Sequence, residues 1–144
     1  MKKLVSVVVA DDDADDFFLL KTSLEEQQVR NPLHYVESGR QLLEFLSETS
    51  NGNQPSQPLP GLIFLDINMP GMNGLETLGK LKNHAVFKSI PIVMFSTVSN
   101  PETVQAAYRL GANSFIAKPT TMQGMAEIIH CVHKCFLELP AVAA

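Results

Sequence analysis

The chain has 144 residues, of which 45% are hydrophobic and 18% are charged, and its net charge is −4. These values predict one folded domain and exclude a chain that is disordered throughout. The excess of acidic residues argues against a nucleic-acid-binding surface, which normally shows as a basic patch. No apolar run approaches the roughly 18 residues that a membrane-spanning helix needs. The apolar run near the start is followed at once by aspartates rather than by a cleavage site, so we expect a cytoplasmic protein.

Five short apolar runs divide the chain. They are rich in Val, Ile, Leu and Phe and do not alternate with polar residues, a pattern typical of strands buried on both faces of a parallel sheet. The runs cover residues 4–10, 33–36, 61–65, 90–95 and 114–117.

Helical spacing of apolar residues follows each of these runs. The pattern is clearest at Leu75, Leu78 and Leu81. The expected cap and stop residues of the helices are Ser38, Asn100 with Pro101, Gly111 and Thr121. Strand and helix therefore alternate five times, which predicts an α/β fold with a doubly wound parallel sheet over residues 1–139.

Two segments depart from this pattern. Residues 47–60 are polar and rich in Pro, Asn and Ser, so we expect an exposed, mobile loop inserted into the domain. Residues 140–144 follow the last helix and are expected to form a short frayed tail.

The six aspartates of the chain are distributed unevenly. Five lie within residues 11–16, directly after the first predicted strand, and Asp66 directly follows the third. Ligands of an open α/β sheet bind beyond the carboxyl ends of its strands, so Asp11, Asp12 and Asp66 are expected to meet there. Three converging carboxylates repel one another unless a cation lies among them, and hard oxygen ligands suit Mg²⁺. The other aspartates fall in the first turn of a helix, where negative charge is favourable.

Further polar residues follow the last two strands. Ser96 and Thr97 come after the fourth strand, and Lys118 with Pro119 after the fifth. A hydroxyl and an ammonium at this edge would suit a phosphoryl group.

Cys131 and Cys135 lie four residues apart in the last helix. That spacing is poor for a disulfide, and His130 and Cys131 point in different directions, which disfavours a metal site. We interpret both cysteines as structural or surface residues.

Four segments together resemble the response-regulator receiver family of two-component systems, which includes stand-alone chemotaxis receivers. They are VVVADDDADD (7–16), LDINMPGMNG (65–74), MFST (94–97) and FIAKP (115–119). The resemblance covers nearly the whole chain. It implies a flavodoxin-like fold with five helices and a five-stranded sheet of order 2-1-3-4-5.

The resemblance also implies roles for the matching residues. Asp66 would accept the phosphoryl group, and Mg²⁺ would be held by Asp11, Asp12, Asp66 and the main-chain carbonyl of Asn68. Phosphoryl binding would fall to Ser96 and Lys118, the switch to Ser96, Thr97 and Phe115, and a cis peptide bond to Pro119.

A receiver of this kind would be a signalling domain rather than a dedicated enzyme, although slow self-phosphotransfer and autodephosphorylation are expected. Its phosphodonor would be a sensor histidine kinase or a phosphotransfer protein. It would signal to a downstream protein through the face formed by the fourth helix, fifth strand and fifth helix, or to a second copy as a homodimer. Neither nucleic acid nor a membrane is expected as a partner. Tyr108 and Arg109 lie on that face, either as partner anchors or as ordinary surface residues.

Three alternatives remain open. A phosphohydrolase with an aspartate nucleophile typically carries a second acid two residues later, where this chain has Asn68. An interaction module that never carries phosphate would usually have lost an acid or the lysine, and none is lost here. A flavin-binding protein would need a phosphate-binding loop after the first strand, and no such loop is present.

Overall fold

A computed structural model describes residues 4–49 and 59–137, with only the backbone of Thr49. Five parallel strands form one sheet in the order β2-β1-β3-β4-β5. The strands are β1 (Val7–Ala10), β2 (Leu33–Val36), β3 (Leu62–Leu65), β4 (Ile92–Ser96) and β5 (Ser114–Ala117). Every residue of β1, β3 and β4 is buried, as the unalternating apolar runs predict. The predicted fold class and strand order are confirmed.

Five α-helices connect and follow the strands. They are α1 (Ala14–Glu26), α2 (Gly39–Thr49), α3 (Gly74–Lys82), α4 (Pro101–Arg109) and α5 (Met122–Val132), the last continued by a π-helical turn (His133–Leu137). Side chains cap several of these helices. Thr121 Oγ1 accepts a hydrogen bond from the Gly124 N–H at 3.0 Å, and Ser38 Oγ accepts one from the Gln41 N–H at 3.1 Å. Asn100 occupies the predicted cap position of α4, but its side chain makes no capping hydrogen bond.

The helices form a layer on each face of the sheet. One layer contains α1 and α5, and its core with the sheet includes Leu20, Leu24, Met125, Ile129 and Val132. The other contains α2, α3 and α4, and its core includes Leu42, Leu46, Leu78, Leu81 and Ala107. This arrangement places α1 beside α5, where Gln27 Nε2 donates to the Ala126 carbonyl oxygen at 2.9 Å.

The predicted loop over residues 47–60 is wrong at both ends. Helix α2 continues through Thr49, and Ser47 and Glu48 are exposed on it, because polar residues suit the solvent face of a helix as well as a loop. At the other end, Pro60 is buried and Leu59 packs against the core. Residues 50–58 and the predicted tail 140–144 lie outside the described residues.

The start of β1, the two cysteines and the lengths of the helices bear on three further expectations. Strand β1 begins at Val7 rather than at residue 4, since Leu4 and Val5 are exposed. Cys131 and Cys135 are both exposed and free, as their interpretation as surface residues requires. Within the described residues, no helix combines the length and the apolar character needed to cross a membrane.

Candidate functional site

Three carboxylates meet at the carboxyl edge of the sheet. Ala10 and Leu65 are paired in the register of β1 and β3, so the next residues, Asp11 and Asp66, leave the sheet side by side. With Asp12 they form a group in which one oxygen from each carboxylate lies within 4.8 Å of the others. Asp11 and Asp66 are buried, whereas Asp12 is exposed. The predicted convergence of these three residues is confirmed.

The loop after β3 holds Asp66 by short main-chain contacts. The Asp66 N–H donates to the Ala10 carbonyl at 3.0 Å, and the Gly74 N–H donates to the Ile67 carbonyl at 2.8 Å. Asp66 Oδ1 also accepts a hydrogen bond from the Ile67 N–H at 2.7 Å. The loop turns through Gly71 at a φ of +75°, a conformation that favours glycine. Asp66 Oδ2 remains directed toward the lysine that follows β5.

Lys118 joins the acidic site from the other side. Its N–H donates to the Ser96 carbonyl at 2.9 Å, which fixes the backbone after β5. Its Nζ lies 2.7 Å from Asp11 Oδ2, 2.7 Å from Asp16 Oδ2 and 3.2 Å from Asp66 Oδ2. The Lys118 side chain is only 7% exposed, so this ammonium depends on the carboxylates around it.

Burial and the neighbouring charges have opposing effects on the pKa values of Asp11 and Lys118. Burial raises the pKa of Asp11 to about 6, against the hydrogen bonds from Lys118 and from the Asp13 N–H. Burial alone would lower the pKa of Lys118, but its hydrogen bonds to Asp11 and Asp16, with the nearby charges, raise that pKa above its usual value. The ammonium is therefore firmly charged, while Asp11 is a carboxylate held in a poorly solvated place.

The predicted phosphoryl-binding and switch residues occupy the ends of β4 and β5. Ser96 is fully buried, and its Oγ accepts a hydrogen bond from the Val98 N–H at 3.1 Å, which leaves its own proton free to be donated. Thr97 is exposed. Phe115 is half-buried and packs against the core beneath α2, α3 and α4. Its N–H donates to the Tyr108 hydroxyl at 3.0 Å.

Two other predicted site residues differ in outcome. Asn68 is exposed on the loop after Asp66, beside the acidic group in sequence. The cis peptide bond expected before Pro119 is not found: the described residues contain no cis peptide bond. The trans form is the lower-energy isomer even before proline, by about 0.5–1 kcal/mol.

The sequence interpretation missed Asp16, which it assigned to the first turn of a helix. Asp13 does cap α1, accepting hydrogen bonds from the N–H groups of Asp15 at 2.9 Å and Asp16 at 3.3 Å. Asp16, however, also reaches Lys118. The contact between Asp16 and Lys118 could have been inferred from the strand order. In a sheet of order 2-1-3-4-5 with α1 and α5 on the same face, the start of α1 lies near the residue that follows β5.

The donor set suits a divalent cation. The three clustered groups are all carboxylates, the hard oxygen ligands that Mg²⁺ and related ions prefer. A cation among them would also offset the cost of holding Asp11 and Asp66 buried and charged.

These features define a class of protein: a doubly wound α/β domain with an acidic, metal-compatible site and a buried lysine at the carboxyl edge of its sheet. The chain matches the family of response regulator receiver domains over residues 7–130, and it belongs to that family. Receiver domains are signalling domains of two-component phosphorelays, in which phosphoaspartate and Mg²⁺ are standard.

Individual relatives agree with this assignment. The chain is 26% identical over 138 residues to response regulator Rcp1 of Synechocystis, spanning 96% of this chain and 92% of that protein. The Mn²⁺-bound form of Rcp1 has a similar fold, with a TM-score of 0.81 at 24% identity over 97% of this chain and 99% of Rcp1. The phosphorylated cyanobacterial phytochrome response regulator RcpA gives a TM-score of 0.85 at 24% identity, over 99% and 100% of the two chains.

Proposed function

We propose that this chain accepts a phosphoryl group on Asp66 from a phosphohistidine of a sensor histidine kinase or a phosphotransfer protein. The observation that carries the proposal is the meeting of Asp11, Asp12 and Asp66 within 4.8 Å, with Lys118 Nζ 3.2 Å from Asp66. Asp66 is thus presented both to a group of carboxylates that could hold a cation and to a buried ammonium. That combination suits a carboxylate that attacks phosphorus and then carries a dianion.

We further propose Mg²⁺ as the cation, held by Asp11, Asp12, Asp66 and the main-chain carbonyl of Asn68. When bound, Mg²⁺ would supply neutralisation of the charge that spreads over the phosphoryl oxygens. The Mn²⁺-bound form of Rcp1 supports a divalent-cation site in a relative. The surplus of carboxylates around Lys118 favours such a cation electrostatically.

The transfer step requires little covalent chemistry from the protein. An Asp66 carboxylate oxygen forms a bond to phosphorus, while the bond from phosphorus to the donor imidazole nitrogen breaks. The electron pair returns to that nitrogen, and the product is an acyl phosphate on Asp66. Positioning and charge stabilisation account for most of the catalysis in such reactions.

The chain's own residues complete the site around the acceptor. Lys118 would pair with a phosphoryl oxygen in place of the Asp66 oxygen that it now contacts. Ser96 would donate its free hydroxyl proton to another phosphoryl oxygen, and Thr97 and Phe115 would respond by repacking. In this proposal, self-phosphotransfer and autodephosphorylation would both be slow.

We place the receiver domain at residues 1–139 and its site of action in the cytoplasm. Its output would be phosphorylation-dependent binding through the face formed by α4, β5 and α5, to a downstream protein, to a second copy, or to a phosphorelay partner. Exposed Tyr108 and Leu110 supply apolar surface there.

The proposal is tested by phosphorylation with a small phosphodonor. We expect the protein incubated with acetyl phosphate and Mg²⁺ to gain one phosphoryl mass by intact mass spectrometry, and peptide mapping to place it on Asp66. The adduct should be labile to base, as an acyl phosphate is, and should not form in the presence of a chelator.

Matched asparagine variants complete the test. Asp66→Asn should abolish the adduct, whereas Asp15→Asn, which removes the same charge from an exposed position, should leave it. An adduct that survives Asp66→Asn, or no labile adduct on the unaltered protein, would overturn the proposal.

A further inference from the structure

Lys118 has more carboxylate partners than the proposed acceptor chemistry uses. Its ammonium contacts Asp11, Asp66 and Asp16, and a lysine ammonium has three protons to donate. Each of the three carboxylates can therefore take one proton, and Asp16 contributes one of the two shortest contacts, at 2.7 Å.

The three partners of Lys118 are not equivalent toward a cation. Asp11 and Asp66 belong to the group of carboxylates that could hold a metal ion, and Asp16 does not. A divalent cation bound by Asp11 and Asp66 would draw on the same two carboxylates that now face Lys118. It would also repel the ammonium directly. Asp16 is the partner that a bound cation leaves available.

From this difference we infer that Asp16 is a positioning residue, which holds the Lys118 ammonium in place when a cation takes over Asp11 and Asp66. The inference rests on the proposed function, since it concerns the lysine and the Mg²⁺ site of that reaction. Asp16 lies in the first turn of α1, and Asp13 fixes that turn by capping it. The carboxylate is therefore presented from a rigid element rather than from a loop.

The contact between Asp16 and Lys118 is important because both side chains are at least partly buried. The side chain of Lys118 is 7% exposed and that of Asp16 is 30% exposed, so the pair is only partly screened by water. An ammonium with no carboxylate partner at this depth would bear a large desolvation cost. Without Asp16, Lys118 would have to share Asp11 and Asp66 with Mg²⁺ or leave the site. Asp16 thus lowers the free-energy cost of loading the cation and keeps Lys118 beside the acceptor.

The experiment is a double-mutant cycle read by Mg²⁺ affinity, measured by isothermal titration calorimetry without any phosphodonor. We expect Asp16→Asn to weaken Mg²⁺ binding about tenfold, the lower end for a hydrogen bond to a charged group. Asp15→Asn removes the same charge one residue earlier and should cost less than about threefold. In a Lys118→Met background, Asp16→Asn should cost no more than Asp15→Asn does.

Two results would overturn the inference. One is equal weakening by Asp16→Asn and Asp15→Asn. The other is an Asp16→Asn effect that is unchanged when Lys118 is absent, which would make Asp16 merely a negative charge near the cation. Failure of the unaltered protein to bind Mg²⁺ would instead overturn the metal site of the proposed function, and the inference with it.

A second measurement covers variants that fold poorly. Asp16→Ala replaces Asp16→Asn if the asparagine variant is unfolded by circular dichroism. If Lys118→Met is unfolded, the ammonium protons of Lys118 are followed by ¹⁵N NMR with Mg²⁺ bound. Slow exchange of these protons with water in the unaltered protein, and fast exchange once Asp16 is removed, is the expected result. Equal exchange in the two proteins would contradict the inference.

Discussion

Gly74 begins α3 directly against the loop that carries the acceptor. A Cβ atom built on Gly74 would overlap the carbonyl oxygen of Asp66 and press on the backbone of Ile67. Both neighbours are main-chain atoms of a segment that is hydrogen-bonded through the Asp66 N–H and the Ile67 carbonyl, so they cannot move aside cheaply. The absence of a side chain at Gly74 is what lets the loop close over so few residues.

Gly74→Ala is therefore expected to destabilise the protein by about 1–3 kcal/mol, as overpacking of a tight interior does. Gly79 provides a matched control, because it lies inside α3 and a Cβ there would meet only Leu110 Cδ2, at an ordinary 3.7 Å. Gly79→Ala should stabilise by about 0.5–1 kcal/mol through helix propensity. Urea unfolding measures both changes, and an equal sign for the two variants would contradict this account of Gly74.

The residues of the site were predictable to different degrees. Asp11, Asp12 and Asp66 follow from their positions after strands, because parallel strands bring their carboxyl ends to one edge. Asp16 was missed because charge in a first helical turn has a sufficient local explanation, while its contact with Lys118 depends on which helices share a face. The cis bond expected at Pro119 rested on the family resemblance rather than on the residues themselves, and the trans form found here is the commoner isomer before proline.

At the scale of elements, β5 is an edge strand whose outer side pairs with no other strand in the described part of the chain. The N–H of Phe115 would face outward there, and the Tyr108 hydroxyl of α4 accepts its hydrogen bond at 3.0 Å. This contact gives Tyr108 a structural role on the face where the sequence suggested a partner anchor. It links α4 to the strand that ends next to Lys118, and it satisfies one of the polar groups that make edge strands prone to association.

Replacing each of the two tyrosines by phenylalanine tests this link. Tyr108→Phe should destabilise by about 0.5–1.5 kcal/mol and speed hydrogen exchange of the Phe115 amide, since the acceptor is lost. Tyr35→Phe should be neutral or stabilising, because the Tyr35 hydroxyl is buried and has no hydrogen-bond partner among the described residues. Exchange at Phe115 that is unchanged in Tyr108→Phe would show that the contact contributes nothing in solution.

Element boundaries were harder to predict than element types. Strand β5 and the order of helices and strands follow from apolar spacing, which reports which face is buried. The end of α2 does not, because Leu46 is the last buried residue of its stripe and the exposed polar residues after it fit a helix or a loop equally. The prediction that β1 starts at residue 4 was wrong for the opposite reason. Leu4 and Val5 are apolar, but they lie beyond the sheet and remain exposed.

At the scale of the whole molecule, the clustered carboxylates of the site repel one another and so reduce the stability of the fold. Two covered faces make the sheet rigid, and its carboxyl edge gathers Asp11, Asp12 and Asp66 around one lysine. Folding therefore brings Asp66 against Asp11 and Asp12, which are distant from it along the unfolded chain. A cation that binds only the folded chain should raise its stability by mass action.

We expect Mg²⁺ at 100 times its dissociation constant to stabilise the fold by about 2.7 kcal/mol. For a domain of this size, that corresponds to a rise in Tm of roughly 5–10 °C. Thermal unfolding followed by circular dichroism, with Mg²⁺ and then with excess chelator, measures the shift and its reversal.

Asp12→Asn separates cation binding from a general salt effect. Asp12 is exposed and is not among the ion-pair partners of Lys118, so its neutralisation removes a proposed ligand without disturbing that lysine. The chelated variant should be as stable as the chelated unaltered protein, or more stable by up to about 1 kcal/mol, because one like charge is gone. It should nevertheless lose most of the response to Mg²⁺. The unaltered protein would then become the more stable of the two once Mg²⁺ is added. The Asp12 carboxylate opposes folding without the cation and favours folding with it. A full Mg²⁺ response in Asp12→Asn would remove Asp12 from the cation site.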